Sequence, residues 1–593
     1  MSEYKSKPDE RGTRRPDGAA AAIIELDREL MKLLARRSVL LSRMREGKEQ
    51  ATGPAAIRAE KSVRIAWEAE AVNFSKDPLF SRQLFNLLQE IKVLRREEAQ
   101  NAPVFNLNPP RRPISGTLAG PTDGFQARLR LILAACLGQD LELKNVLLTA
   151  ELLEAVKICS RAGAACTYNG RGTGNVEVRA GKPLELGGRT FFVGDDFFVL
   201  CLIMFLALAK PGVLRFNGGS RLKFSDLRVL RGFLPLLGAR FYHIVPHSLG
   251  LPAGLECSGE IPDEVTPPAE LPVEAVCALL AAPVFWQRPF RADLALLPGK
   301  TRDAALANVL ALYTETGAEF QIKGSLFDYS PGPLVLPRNP VLPLDPVLSA
   351  FILAFPAFAG GSITVLGKWP AQTPEAAMAE GLLKFAGLGL ECEEGGIVAQ
   401  AADNSTCLPL TLSDLNAEFG PLFLAICARR LILSDDPSFT KDAALFPRTE
   451  DATALAGDFF FRLGLDFQPG LAGKDGEKAE KAVSETEETR FWELRKRITP
   501  DRKGGENLTR DSGRRAGSAA WTCPDACWGM AFALAAFTRP GLVLANPGAV
   551  TEKNPVFWSI YNSLPDPRIH VPAWEEPREK IGDPNPRRRF KAD

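Results

Sequence analysis

The feature that most limits what this chain can fold into is a repeat that carries no obvious sequence identity. Five times a helical stretch runs into a glycine and then into a short strand: SRAGAACTY at Gly163, PLLGARFYHI at Gly238, TETGAEFQI at Gly317, KFAGLGLECEE at Gly387 and FRLGLDFQ at Gly464. The intervals are 75, 79, 70 and 77 residues. Each glycine stands where a helix C-terminus needs the left-handed backbone conformation, which glycine adopts without steric cost. A unit of this length holds two helices and several strands, so the repeat predicts an α/β body of repeated units rather than a single Rossmann sheet. The proline-rich SPGPLVLPRNPVLPLD at 330–345 falls in the middle of that body and reads as a hinge between two lobes.

The 593 residues leave room for more than this body. Residues 19–48 place Ile23, Leu26, Leu30, Leu33, Leu34, Leu40, Leu41 and Met44 close to helical spacing, with charges between them. Gly53-Pro54 ends that helix, a second spans about 57–73, and Asp77-Pro78 opens a third through about 96. The expected organisation is a disordered 1–18, a helical module at 19–100, a linker at 101–116, a first lobe at 117–335 and a second at 336–566. A charged, disordered or loosely helical insertion is expected at 471–520, and a basic mobile tail at 567–593. The elongated helical module buries its own faces poorly, which makes a homodimer plausible.

Composition narrows the chemistry. A net charge of +1 gives no electrostatic reason to expect nucleic acid or an anionic membrane as partner. The longest apolar run, FFVLCLIMFLALA at 197–209, has thirteen residues, against the roughly 20 a membrane span needs. It reads as a buried helix. Eleven scattered cysteines and a polar, charged start predict reduced thiols in a cytoplasmic protein. The three histidines, His243, His247 and His570, stand at no zinc spacing, so neither metal nor cofactor is expected. Cys523 and Cys527, in CPDACWGMAFALAAF, could share one face of a helix start, but they lack further ligands and read as buried or semi-exposed thiols.

The segment ELDRELMKLLARRSVLLSRMREGK resembles the first helix of the all-helical chorismate mutases, a match covering roughly residues 20–98. The resemblance implies a dimer that binds a dicarboxylate between helices. It carries the family's carboxylate-binding arginine onto Arg37 and the lysine that contacts the ether oxygen onto Lys48. The family's N-terminal arginine falls on Ala20, and its second-helix Arg-Glu pair falls near Glu60 and Lys61. In LFNLLQEIKVLRRE the polar contacts become Lys92 and Arg96.

From about Ile114 to Asp566 the order of segments resembles the 5-enolpyruvylshikimate-3-phosphate (EPSP) synthases, or 3-phosphoshikimate 1-carboxyvinyltransferases. The echoes are GTLAGPTDGFQARLRLILAACLGQ, GGSRLKFSDL, LDPVLSAFILAFPAFAGGSITV, and CPDACWGMAFALAAF followed by ANPGAVTEKNPVFW. The resemblance implies two lobes of three α/β units each. The whole chain is then multidomain, an all-α three-helix module followed by a two-lobed α/β body like that of the enolpyruvyl transferases.

Moving an enolpyruvyl group from phosphoenolpyruvate to the 5-hydroxyl of shikimate 3-phosphate needs cations around two phosphates and a carboxylate, with acid/base groups for the protons. By this resemblance the family's phosphoenolpyruvate-binding lysine falls on Gly124, with Arg128 and Arg130 close by, and an anion-binding arginine falls on Cys201 beside Asp195 and Asp196. The Ser-Ser-Gln that cradles the shikimate phosphate falls on Pro272, Val273 and Glu274, and the general-base aspartate on Glu418. The closing Asp-His-Arg becomes Asp525, Ala526 and Cys527, and the last lysine falls on Glu552, one position before Lys553.

The substrates implied are small anions: shikimate 3-phosphate, phosphoenolpyruvate, and chorismate- or prephenate-like dicarboxylates. Candidate anion-binding residues of the body are Arg128, Arg130, Arg221, Lys223, Arg448 and Lys553. Three readings stand: a linked enzyme of the chorismate branch, a non-catalytic or regulatory homologue that keeps the folds, and a transferase for another anionic substrate.

Overall fold

The computed structural model describes parts of 25–40 and 62–70 and most of 105–567, apart from 180, 246–247, 333–334, 372, 394, 403–416, 437, 443–449, 472–489 and 498–519. The chain forms two compact units, Met1–Pro103 and Val104–Asp593. The described residues of the first unit are helical. The Arg37 guanidinium lies over the Trp67 ring, 5.8 Å from its centroid, and burial pulls its pKa down. Leu26, Leu30, Leu33 and Leu40 are exposed within this chain. The third expected helix, together with Lys48, Lys61, Lys92 and Arg96, lies outside the described residues.

The described part of the second unit contains six small sheets around two hydrophobic cores. The first core spans Ala127 to Leu342 and is flanked by three sheets. These run, in spatial order, Leu141–Leu147, Thr173–Arg179, Ala165–Arg171; then Thr190–Phe192, Gly212–Asn217, Ala253–Cys257, Ala239–His243; then Glu264–Val265, Phe290–Asp293, Leu326–Ser330, Glu319–Lys323. The second core gathers residues from Leu107 to Leu564. Its sheets are Leu388–Glu393, Gly396–Ala401, Gly361–Leu366, Ile114–Ala119; then Ser438–Asp442, Arg490–Lys496, Leu465–Leu471; and a pair of Phe105–Leu107 with Leu542–Leu544. Two lobes of three units result, with helices packed inside each.

All five repeat glycines have positive φ: 111° at Gly163, 75° at Gly238, 66° at Gly317, 87° at Gly387 and 78° at Gly464. At Gly317 a Cβ would meet nothing within 4 Å, so the backbone angle alone selects glycine there. Gly317→Ala is therefore expected to cost about 1 kcal/mol with no change in fold, measurable by urea denaturation. The apolar run becomes the helix Phe197–Ala207, capped by Asp196 and buried on every side from Phe198 onward. No helix among the described residues is long and apolar enough to cross a membrane.

Two segments differ from the sequence reading. The expected linker at 101–116 contains the strand Phe105–Leu107 and the start of Ile114–Ala119, and both belong to second-lobe sheets. Prolines confine these strands to short lengths without preventing edge pairing. The charged 471–520 stretch holds the strand Arg490–Lys496, the middle strand of its sheet. There Trp492 and Leu494 alternate inward at 1% and 0% exposure. That alternation, rather than the charge of the flanks, decides the local structure. The tail beyond 567 lies outside the described residues.

Candidate functional site

The site is built where the chain crosses between lobes. Two short segments, Pro121-Thr122-Asp123 and Pro343-Leu344-Asp345, run antiparallel. The Asp123 amide donates to the Pro343 carbonyl at 2.9 Å, and the Asp345 amide donates to the Pro121 carbonyl at 2.8 Å. Each aspartate then caps the opening helix of a lobe. Asp123 accepts from the amides of Phe125 and Gln126 at the head of Gly124–Leu137. Asp345 accepts from the Leu348 amide at the head of Pro346–Leu353, where Pro346 fits the first helical position. The expected hinge at 330–345 thus ends in one strand of a reciprocal two-strand crossover.

The crossover brings carboxyls together. Burial pushes the Asp345 carboxyl up to about 7, Asp123 adds to the rise, and the Leu348 amide and Lys553 oppose it. Burial likewise raises Asp123, against the Phe125 and Gln126 amides and the charges of Arg128 and Arg130. On the second-lobe side, Lys553 forms an ion pair with Glu418, and its Nζ lies 4.0 Å from the Cys527 Sγ. Burial works against the Lys553 charge, but Cys527, Glu418 and Asp345 outweigh it and hold the ammonium well above its ordinary range. Cys527 sits near the N-terminus of Ala526–Ala535, capped by Asp525, and burial pushes its thiol up to about 12. Cys523 is also buried, its thiol raised to about 11. Among the described residues no group of three or more His, Cys, Asp or Glu is arranged to hold a metal ion.

Arg128, Arg130 and Lys553 each already hold an acidic partner. Glu418 and Lys553 meet, and the neighbouring Glu552 is exposed, so the lysine that reaches this cluster is the one at 553. Arg128 is held in the first lobe, 2.6 Å from Glu151 and 2.9 Å from Asp196. Arg130 is 1% exposed and spends its guanidinium on Glu315, at 2.7 Å, and on Gln126. Arg221 and Lys223 lie on the short helix Ser220–Phe224, where Arg221 is exposed. The Asp195 carboxylate accepts from the Leu222 amide of that helix at 3.1 Å, and it packs so closely on Gly219 that a Cβ there would lie 2.3 Å away. Arg448 lies outside the described residues.

The replaced positions are structural too. Cys201 is fully buried in the apolar helix, with Glu274 and Asp196 near it. Pro272 caps Val273–Ala281, which places Glu274 in its first turn. Sequence reasoning missed Asp123 and Asp345. The signal was present as the duplicated Pro-x-Asp before an apolar helical run, at 121–123 and 343–345.

With this geometry in hand, comparison with known proteins places the fold. No family model matches the chain, and no curated protein matches it. Among solved structures, the EPSP synthase of Acinetobacter baumannii superposes with a TM-score of 0.57 at 15% identity, covering 77% of this chain and 96% of that one. The enolpyruvyl transferase NikO of Streptomyces tendae gives 0.51 at 13% identity, covering 76% and 94%. At such identities the similarity establishes the fold of the body, which is that of the enolpyruvyl transferases.

Proposed function

We propose that the body is a non-catalytic or regulatory relative of the EPSP synthases that does not transfer an enolpyruvyl group to shikimate 3-phosphate. One observation carries this reading. Arg128, the half-buried cation nearest the first-lobe crossover helix start, is already neutralised by Asp196 and Glu151. Two phosphates and a carboxylate need several free charge-assisted donors, and losing each costs about 1.5–3 kcal/mol of binding. Acidic side chains at the same place add repulsion. The helical module, which resembles the chorismate mutases, is proposed to keep a dicarboxylate site through Arg37 and Lys48, linking the chain to chorismate chemistry.

A second reading, transfer of an enolpyruvyl group to a different acceptor, is favoured by the cluster of Asp345, Glu418 and Lys553. A carboxyl near neutrality beside an ammonium is a workable proton-transfer pair. One experiment separates the two readings. Phosphate release from phosphoenolpyruvate with shikimate 3-phosphate is followed against a blank lacking shikimate 3-phosphate, alongside calorimetric titration of phosphoenolpyruvate alone. The first reading expects no release above the blank and no binding at millimolar ligand. Binding without release, weakened about 10- to 100-fold in Lys553→Met, supports the second reading. Release above the blank overturns the first.

A further inference from the structure

We propose that Cys159 and Cys166 form a peroxide-responsive dithiol that closes into a disulfide between the helix Ala150–Ala162 and the strand Ala165–Arg171. The chain turns back on itself between them at Gly163. The Ala164 amide donates to the Cys159 carbonyl at 3.0 Å, so the outgoing chain lies against the helix's last turn. Residues 164 and 166 then share a side, as a strand requires, and both pack against the core cluster that contains Cys159. Cys166 is the one residue of its strand that is not exposed. The two thiols lie close enough for each to perturb the other's ionisation, and Ser160 adds to the effect on Cys166.

The two sulfurs differ in a way that assigns their order of reaction. Cys159 is 1% exposed, whereas Cys166 is half-buried and reachable from solvent. The neighbouring Cys159 thiol lowers the pKa of Cys166, while the same proximity and burial raise that of Cys159. Cys166 is thus the attacking thiolate and Cys159 the resolving thiol.

In the first step the Cys166 sulfur attacks one oxygen of hydrogen peroxide. The S–O bond forms, the O–O bond breaks, and hydroxide leaves, taking up the thiol proton as water. In the second step the Cys159 sulfur attacks the sulfenic sulfur. The S–S bond forms, the S–O bond breaks, and a second water carries away the Cys159 proton. Two thiols lose two electrons and one peroxide becomes two waters. The staple would sit in the hairpin whose turn, at Gly172, abuts Pro555 and Val556 just after Lys553.

The test uses the full chain, treated with hydrogen peroxide, blocked with N-ethylmaleimide and digested with trypsin. Cleavage after Arg161 separates the two cysteines, so the expected product is a linked pair of peptides that dithiothreitol resolves. Before oxidation, Cys166 is expected to alkylate at least about tenfold faster than the exposed Cys392, whose thiol burial and Glu380 raise. In Cys159→Ser, Cys166 is expected to persist as a dimedone-trapped sulfenic acid, and Cys166→Ser is expected to abolish the linked peptide in a protein of unchanged melting temperature. Alkylation of both cysteines after peroxide treatment overturns the proposal. So does a link from either one to Cys136, the buried third thiol near Cys159.

Discussion

Asp345→Asn is expected to stabilise the protein above neutral pH and to leave its stability at pH 4 nearly unchanged. The folded-state pKa of Asp345 is raised from an ordinary 3.8 to about 7, chiefly by burial. A raised carboxyl pKa contributes stability that is fully present below the unfolded value and lost as pH rises through the folded one. Between these limits the unfolded chain ionises freely while the folded chain either holds its proton or bears a buried charge. The gap of about three pH units corresponds to as much as ~4 kcal/mol at pH 8. Asparagine keeps the oxygen that accepts from the Leu348 amide, so the helix cap survives and only the ionisation is removed. Denaturant midpoints of both proteins from pH 4 to 9 give the check. Their difference should grow through pH 4–7 and level off above it, and a difference independent of pH would show that Asp345 is not held neutral. The same curve bears on function, since its plateau marks the pH at which the crossover gains a negative charge beside Asp123 and Lys553.

The sequence made some of this legible because some constraints are local. A left-handed C-cap admits few residues other than glycine, so Gly163, Gly238, Gly317, Gly387 and Gly464 mark helix ends without any reference to their surroundings. The period of those marks then implies the repeated architecture. The site is set by contacts between residues far apart in the chain, and no local pattern reports them. Arg128 and Arg130 read as available cations until Asp196 and Glu315 are seen beside them. Lys553 and Glu552 are equivalent in a sequence register that can slip by one, and only the geometry brings Lys553 to Glu418. Asp345 carries the Pro-x-Asp cap signature that the sequence reading passed over, and its perturbed carboxyl comes chiefly from burial, to which Asp123 adds from the other crossover segment.

Trp492→Ala should be among the most destabilising single substitutions in the body, because it empties a site closed by aromatic rings from three other elements. The indole is 1% exposed and contacts the rings of Phe423, Phe460 and Phe467, at centroid distances of 6.3, 6.4 and 5.8 Å. Removing a buried tryptophan costs about 3–5 kcal/mol in lost transfer energy and residual cavity, and these neighbours cannot close the gap without leaving their rotamers. Since Trp492 lies on the middle strand, with Ser438–Asp442 on one side and Leu465–Leu471 on the other, the damage should extend to both pairings. A native domain holds only about 5–15 kcal/mol in all, so the variant is expected to show a much lower urea midpoint and early hydrogen exchange in all three strands. Trp492→Phe should recover most of the loss. If Trp492→Ala instead melted like the parent, the FWELRK segment would be a dispensable excursion, as its highly charged flanks suggest. The outcome therefore decides whether a stretch that composition marks as unstructured completes the core of the second lobe, and the alternation of Trp492 and Leu494 with Glu493 and Arg495 is the physical reason to expect that it does.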